Sequence, residues 1–143
     1  MRINDVLRSK PSQEVVTISP DATIRELIAA LAEHNVGALI VSSDGSTVDG
    51  IVSERDVVRK LHEDEGVLAE SVRTIMTSEV QTCEGSDEVD HLMKLMTDHR
   101  VRHVPVVADG RLTGIISIGD VVKNRIGELE FERDQLDHYL HQT

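Results

Sequence analysis

Apolar and polar positions follow the same order in the two halves of the chain. Each half begins with a short run rich in β-branched residues, "EVVTI" at 14–18 and "EVQTC" at 79–83. An amphipathic segment follows, with apolar residues at i, i+3, i+4 and i+7, the spacing of a helix with one buried stripe. The pattern therefore predicts a strand and then a helix in each half. The stripes comprise Ile24, Leu27, Ile28 and Leu31, then Val89, Leu92, Met93 and Met96.

Two further apolar runs in each half are predicted to be strands. An Asp-Gly pair separates them, at 44–45 and at 109–110, and this dipeptide favours a hairpin turn. A second helix follows, with Val-Val pairs at 57–58 and 121–122. The order β-α-β-β-α, present twice, predicts an α+β fold. The four strands cover "ALIVS", "GIVS", "HVPVV" and "GIIS".

The end of each half repeats one phrase, "GIVSERDVVRK" at 50–60 and "GIISIGDVVKN" at 114–124. Each unit is too small to bury its own apolar faces, so we expect the two units to pack together about a pseudo-twofold axis. Both repeated turns would then face a cleft between the repeats. The predicted segments are repeat 1 at 1–62, a linker at 63–77, repeat 2 at 78–126 and a C-terminal helical tail at 127–143. The stretch "INDVLRSK" is a candidate N-terminal counterpart of the linker.

Composition narrows the function classes. Aromatic residues make up 1% of the 143 residues, so the core is aliphatic and a planar ligand would rest on aliphatic walls and backbone amides. A net charge of −11 opposes binding to nucleic acid or to an anionic membrane. The chain has one cysteine and no signal-peptide or membrane-spanning run, which predicts a cytoplasmic protein.

The repeated phrases both contain Ser-x-x-Asp directly before a predicted helix. Ser53 with Asp56, and Ser117 with Asp120, match a capping box, in which the serine and the acid satisfy backbone N–H groups at the helix start. The same groups suit a nucleotide: a carboxylate can accept two ribose hydroxyls, and free helix N–H groups favour an anion. Gly119 would let a ligand approach the backbone. Capping and binding are compatible, and both interpretations stay open.

The two phrases, with the strand-like "RVRHVPVV" at 100–107, resemble the CBS-domain family. That family's signature is G-h-h-[ST]-x-x-D, where h is apolar; here it occurs at 50–56 and 114–120. The resemblance extends from "INDVL" to about Ile126. It implies a stand-alone, bacterial-type tandem CBS pair, also called a Bateman module, with an additional C-terminal helix.

The resemblance also implies two ligand sites that span the repeats. Arg55 and Gly119 lie within the two turns and are further candidates. Arg102 and His103 match family positions that contact phosphate, whereas Gly37 and Ala38 supply no charge there. This predicts the better phosphate contact at the first site, although Arg102 can equally be a surface charge. The first site would combine Ser53 and Asp56 with Thr82, Arg102, His103 and Val104, and the second Ser117 and Asp120 with Thr17, Ala22, Gly37 and Ala38.

The ligand class implied by the resemblance is an adenine nucleotide. AMP comes first, followed by ADP, ATP, NAD or S-adenosylmethionine, bound as a regulatory ligand and not as a catalytic cofactor. The chain has no GxxxxGK[ST] loop and no HExxH, so it is not predicted to be an enzyme. Two alternatives stay open: a ligand-independent interaction or dimerisation module, and an enzyme acting on a nucleotide held in the cleft.

The tail is predicted to be helical and carries a heptad-like apolar series interrupted by Arg133. It either folds back on its own module or forms an intermolecular contact. The family resemblance implies a homodimer in both cases, and an unidentified protein partner is a further possibility. His138 and His141 lie three residues apart but lack a third metal ligand, and Cys83 is predicted to be a packed apolar residue. The series comprises Val122, Ile126, Leu129, Leu136 and Leu140.

Overall fold

A computed structural model describes residues 1–11 and 14–141. The described residues form five α-helices, five strands and two short 3₁₀ helices, at Glu65–Ala69 and Val72–Thr74. The helices are α1 (Ile3–Ser9), α2 (Ile24–His34), α3 (Glu54–Glu63), α4 (Val89–His99) and α5 (Ile118–Leu140). The strands are β1 (Thr17–Ile18), β2 (Ala38–Val41), β3 (Gly50–Ser53), β4 (His103–Ala108) and β5 (Arg111–Ser117).

The first half has the predicted order β1-α2-β2-β3-α3. β1 pairs in parallel with β2, and β2 pairs antiparallel with β3. α2 buries the predicted stripe residues Ile24, Leu27 and Leu31 against this sheet, whereas Ile28 is 38% exposed. The second half repeats the arrangement with α4, β4, β5 and α5, so the α+β prediction is confirmed.

The first strand of the second half is shorter than predicted. Within 79–83 only Cys83 pairs, as a parallel bridge to Val106. Its N–H donates to the Pro105 carbonyl at 3.0 Å, and its carbonyl accepts from Val107 N–H at 2.8 Å. Pro105 occupies the position that Ile40 has in β2. Because proline has no N–H to donate, the ladder cannot continue there as it does in the first half.

The segments with the Asp-Gly signal join antiparallel strands in both halves, but only the second half has a tight turn. Asp109 and Gly110 both have positive φ, 52° and 76°, and join β4 directly to β5. In the first half pairing stops at Val41 and Gly50, and residues 42–49 form a longer loop. There the Asp44 carboxylate accepts backbone N–H bonds within the loop, which lowers its pKa. In this loop the Asp44 carboxylate therefore accepts backbone N–H bonds that carbonyls of a paired strand would otherwise accept.

The strand predicted at 103–107 forms as β4, whereas the start of the strand-like segment at 100–107 belongs to the end of a helix. Arg100 closes α4 in the left-handed conformation, with φ 54°, as Asn35 closes α2 with φ 52°. The Arg100 N–H bonds to carbonyls of the last helical turn. β4 therefore starts at His103, and Arg100 belongs to a helix terminus instead of a strand.

Each half is completed by a segment from outside its own strands and helices. α1, at the start of the chain, buries Ile3 and Val6 in the core of the second half. The linker contributes Val67, Val72 and Ile75 to the core of the first half. Matching antiparallel bridges hold both segments, Arg2 to Glu88 and Ser71 to Thr23. We call residues 2–10 and 71–79 the exchanged segments.

The first glycine of each repeated phrase lies beneath an exchanged segment. A Cβ added at Gly50 would lie 2.8 Å from both Met76 Sδ and the Thr77 carbonyl oxygen. A Cβ added at Gly114 would lie 2.9 Å from Leu7 Cδ2. Counted along the exchanged segments, Leu7 and Met76 are equivalent. These two glycines therefore allow close packing within the chain.

α5 is one continuous helix of 23 residues and includes the predicted tail as far as Leu140. The tail does not fold back on the module, since its seam residues are about half exposed or more, from 48% at Val122 to 61% at Leu140. Phe131 and Tyr139 are also exposed. Within the described residues, none of the helices has the length and apolarity needed to cross a membrane.

Candidate ligand-binding turns

The Ser53–Asp56 turn caps α3 in the way its sequence predicts. Ser53 N–H donates to Asp56 Oδ2 at 2.8 Å, and the Ser53 hydroxyl donates to the same oxygen at 3.1 Å. Asp56 N–H lies 3.4 Å from Ser53 Oγ, which completes the reciprocal capping box. Both side chains are half-buried.

The Ser117–Asp120 turn caps α5 with the same geometry. Ser117 N–H donates to Asp120 Oδ2 at 3.0 Å, and Asp120 N–H donates to Ser117 Oγ at 3.2 Å. The capping-box prediction is therefore confirmed at both turns. The first N–H of each helix is also satisfied, Glu54 N–H by the Gly37 carbonyl at 2.9 Å and Ile118 N–H by the Arg102 carbonyl at 2.8 Å.

Strand pairing places the strand residues next to the turn of their own half. Ala38 is the register partner of Ser53, and His103 is the register partner of Ser117. Gly37 and Arg102 come directly before these residues and contact α3 and α5 through the carbonyl bonds described above. The sequence prediction instead joined Arg102 and His103 to the Ser53–Asp56 turn of the other half, and that cross-repeat grouping stays a prediction.

His103 lies where charges from both halves act on it. Burial lowers the pKa of its imidazole below the ordinary value, and Lys10 and Arg102 act in the same direction. The carboxylates of Asp120 and Glu54 oppose this, without reversing it. His103 is therefore mainly neutral at pH 7, where it can form hydrogen bonds but carries little positive charge.

Lys10 is a functional candidate that the sequence analysis missed. Its Nζ lies 3.0 Å from Asp120 Oδ2 and donates to the Ile115 carbonyl at 2.9 Å. Burial opposes ionisation of Asp120, but the Ser117 N–H and the Lys10 ammonium outweigh it, so the pKa of Asp120 is lowered. The available signal was the match between the exchanged segments, in which Lys10 corresponds to Glu79.

The other predicted residues differ in how they can act. Val104 is fully buried in the second core, so it presents no exposed surface to a ligand. Ala22 is half-buried, and its carbonyl accepts from Val72 N–H at 2.8 Å, which ties this loop to the linker. Thr17 lies in β1 and is half-buried, whereas Thr82 is exposed.

Two turn residues face solvent. Arg55 is exposed on the first turn of α3. Gly119 is exposed on the first turn of α5, and an added Cβ would meet only Ser117 Oγ, at 3.6 Å. Contacts within the chain therefore do not require glycine at this position.

Cys83 and His141 are the candidates for a nucleophile and for a metal ligand. Burial, with a smaller contribution from Asp87, raises the pKa of the Cys83 thiol to about 12, which favours a packed apolar role over a nucleophile. His141 Nδ1 lies 2.7 Å from the Asp137 carbonyl oxygen of its own helix. No cluster of three or more potential metal ligands occurs in residues 1–11 and 14–141.

The fold and the paired capped turns define a tandem-repeat α+β module. A family model for the CBS domain matches residues 3–63 and again residues 72–127. The chain therefore belongs to the CBS-domain family and contains a pair of these domains.

Three similar proteins illustrate the match. The CBS domain-containing protein CBSX3, mitochondrial, of Arabidopsis thaliana is 35% identical over 146 residues, covering 96% of this chain and 71% of that protein. The structure of the CBS-domain containing protein ATU1752 from Agrobacterium tumefaciens has a TM-score of 0.82 at 44% identity, covering 87% of this chain and 99% of the other. The CBS domain pair of protein MJ0100, in complex with 5'-methylthioadenosine and S-adenosyl-L-methionine, has a TM-score of 0.76 at 26% identity, covering 86% and 98%.

Proposed function

We propose that this CBS pair is a regulatory module that binds an adenine nucleotide at its Ser-x-x-Asp turns. AMP is the first candidate, with ADP, ATP, NAD and S-adenosylmethionine as further ones. The observation that carries the proposal is the matched pair of carboxylates, Asp56 and Asp120, each oriented by a capping box through its Oδ2. The complex of protein MJ0100 with two adenosine-containing ligands supports the same ligand class.

The turn geometry explains how recognition of a nucleoside would work. The cap fixes each carboxylate before the ligand arrives, so little side-chain entropy is lost on binding. The oxygen that the cap does not use can accept a ribose hydroxyl in a charge-assisted hydrogen bond. The base would lie against aliphatic walls, since Phe131 and Tyr139 are on the distant part of α5.

The output proposed for the module is a change in a homodimer. Apolar side chains are exposed along α3 and α5, including Val58 at 65%, Val122 at 48% and Ile126 at 50%. A second copy of the chain would cover such surfaces. A ligand that prefers one arrangement of the two repeats shifts the population toward it, to the extent that its affinities for the two states differ. We propose a signalling role without catalysis, in the cytoplasm.

Isothermal titration of the full chain with AMP, ATP, NAD and S-adenosylmethionine tests the nucleotide assignment. Asp56→Ala and Asp120→Ala each remove one carboxylate, and we expect each variant to lose at least tenfold in affinity at its own turn. Asp98→Ala, an exposed position near the end of α4, is the matched control and should bind like the native chain. The assignment is wrong if none of these ligands binds at millimolar concentration, or if both variants bind normally.

The exposed face of α5 favours a second candidate function, a ligand-independent interaction module. Phe131, Leu136 and Tyr139 are 62%, 59% and 72% exposed on a helix that extends past the second core. In that case self-association or partner binding would not change with nucleotide. Sedimentation velocity with and without AMP distinguishes the two functions, since only the regulatory module changes its assembly with ligand.

A further inference from the structure

The two turns have different charge environments despite their matching backbone geometry. At the second turn, the Lys10 ammonium lies 3.0 Å from Asp120 Oδ2, and both side chains are about three-quarters buried. At the first turn, the hydrogen bonds that Asp56 Oδ2 accepts come from Ser53 alone within the described residues. Glu79 occupies the position equivalent to Lys10 and is exposed. Within the described residues, the carboxylate of one turn is therefore paired with an ammonium, and the carboxylate of the other turn has no such ion pair.

The position of Lys10 is set by the fold. α1 is anchored in the second core by Ile3 and Val6, which are fully buried. The chain leaves α1 at Lys10, and the ammonium then bonds to the Ile115 carbonyl as well as to Asp120. A cation held by two partners is preorganised, so it need not be recruited when a ligand binds.

Two further residues adjoin the second turn, of which His103 is mainly neutral. His103 pairs in register with Ser117, and the Arg102 carbonyl bonds to Ile118 N–H directly after that serine. At the first turn the corresponding positions are Gly37 and Ala38, which carry no charge. The sequence predicts the stronger phosphate contact at the Ser53–Asp56 turn, whereas the Lys10 ammonium beside Asp120 favours the opposite assignment.

We propose that Lys10 determines ligand specificity: it makes the Ser117–Asp120 turn the site for a phosphate-bearing nucleotide. The Ser53–Asp56 turn then takes an uncharged or cationic adenosine compound. This inference rests on the proposed nucleotide-binding function. An anionic phosphate near an uncompensated carboxylate is repelled, whereas a carboxylate already paired with an ammonium presents no net charge. A positively charged adenosine compound is attracted to the Asp56 turn for the same reason.

The test measures AMP binding at one turn at a time in the full chain. In an Asp56→Ala background, AMP binding reports the Ser117–Asp120 turn, and adding Lys10→Met removes the ammonium while keeping most of the aliphatic stem. We expect AMP affinity to fall about tenfold or more, the size of the effect of losing one hydrogen bond to a charged group. Lys10→Arg should retain most of the affinity. Lys60→Met, which removes an exposed lysine of α3, is the matched control and should leave it unchanged.

A second experiment uses a cationic ligand, S-adenosylmethionine. In an Asp120→Ala background, S-adenosylmethionine binding reports the Ser53–Asp56 turn, and Lys10→Met should leave this affinity unchanged. Thermal unfolding of each variant separates loss of binding from loss of folding, because a partly unfolded chain would lose both ligands together.

The outcomes distinguish this inference from the proposed function. If the native chain binds AMP and Lys10→Met binds it equally well or more tightly, the role of Lys10 is wrong and the nucleotide-binding function stands. Tighter binding would mean that Lys10 competes with the ligand for Asp120. If the native chain binds neither AMP nor S-adenosylmethionine, the proposed function and the inference both fail.

Discussion

The half-buried side chain of His103 makes the stability of the fold depend on pH in mildly acidic solution. Its folded-state pKa is lowered chiefly by burial, with Lys10 and Arg102 adding to that effect and Asp120 and Glu54 opposing it. The unfolded chain therefore binds a proton more readily than the folded chain. The stability that depends on neutral His103 is complete above the unfolded pKa of about 6.5 and is lost as the pH falls toward the folded value.

We expect His103→Gln to reduce the decline in stability between pH 7 and pH 5, because glutamine does not titrate. Urea unfolding monitored by circular dichroism at several pH values measures this decline. His62→Gln, an exposed position on α3, is the matched control and should leave the decline unchanged. Parallel stability curves for the native chain and His103→Gln would contradict the prediction.

The two packed glycines give a prediction about local sterics. Gly50→Ala places a methyl group against the Thr77 backbone oxygen, which cannot rotate away, and should lower the free energy of unfolding by about 1–3 kcal/mol. Gly114→Ala meets only the end of the flexible Leu7 side chain and should cost less. Denaturant unfolding of both variants measures the difference.

Gly127→Ala is the control for the glycine pair, since it lies inside α5 and nothing is within 4 Å of the added Cβ. It should raise stability by up to about 1 kcal/mol through helix propensity. If Gly50→Ala is as stable as Gly114→Ala, the prediction is wrong, because the segment 71–79 then moves away from the added methyl group at little cost in free energy.

Residue-level prediction succeeded where the interaction is local. A capping box joins groups three residues apart, so Ser53 with Asp56 and Ser117 with Asp120 were recognisable from sequence. Lys10 was not recognisable as a partner of Asp120, since the two residues meet only after α1 crosses to the second half. The charge at each turn is a tertiary property, and single-sequence patterns do not contain it.

At the scale of elements, the exchanged segments make the two halves depend on each other. The helix pattern was predictable because the apolar stripes of α2 and α4 repeat with the helical period. The half in which α1 packs was not predictable, because an apolar stripe does not identify the surface that covers it. The strand predicted at 79–83 was favoured by its β-rich pattern, but it is shortened because Pro105 in the neighbouring strand has no N–H to donate.

Val6→Ala tests the dependence of the second half on α1. Val6 is fully buried in the second core, so its truncation should cost about 2 kcal/mol. Hydrogen exchange should show loosening of α4 and β4, with α2 and β2 less affected. Val36→Ala, at a 41% exposed position, is the control and should cost under about 0.5 kcal/mol. Equal loosening of both halves would contradict a separate second core.

For the whole molecule, the exposed seam of α5 predicts how copies associate. We expect Leu129→Asp with Leu136→Asp to weaken the proposed homodimer at least tenfold, since both residues are half exposed or more and a charge there opposes apolar contact. Folding should be little affected, because neither side chain belongs to a core. Sedimentation velocity over a range of concentrations measures the association.

Glu132→Gln on the same helix is the control for the seam and should associate like the native chain. A native chain that is monomeric at every concentration, or a double variant that dimerises normally, would contradict the prediction. The apolar seam itself was recognisable from its spacing. Its exposure became evident only from the structure, in which α5 continues as one helix to Leu140 and the seam residues are about half exposed or more.

Because α1 packs in the core of the second half, it cannot reach its final position until that half has been synthesised. α1 leaves the ribosome before its packing partners α4, β4 and β5, which lie at least about eighty residues further along the chain. The first core can close once the linker has emerged, whereas α1 must wait until the second half has been synthesised. During that interval its apolar face is uncovered and available to chaperones or to the second half of a neighbouring chain. α1 thus packs only after the second half has been made, and exchange of α1 between two nascent chains would be a direct route to a dimer.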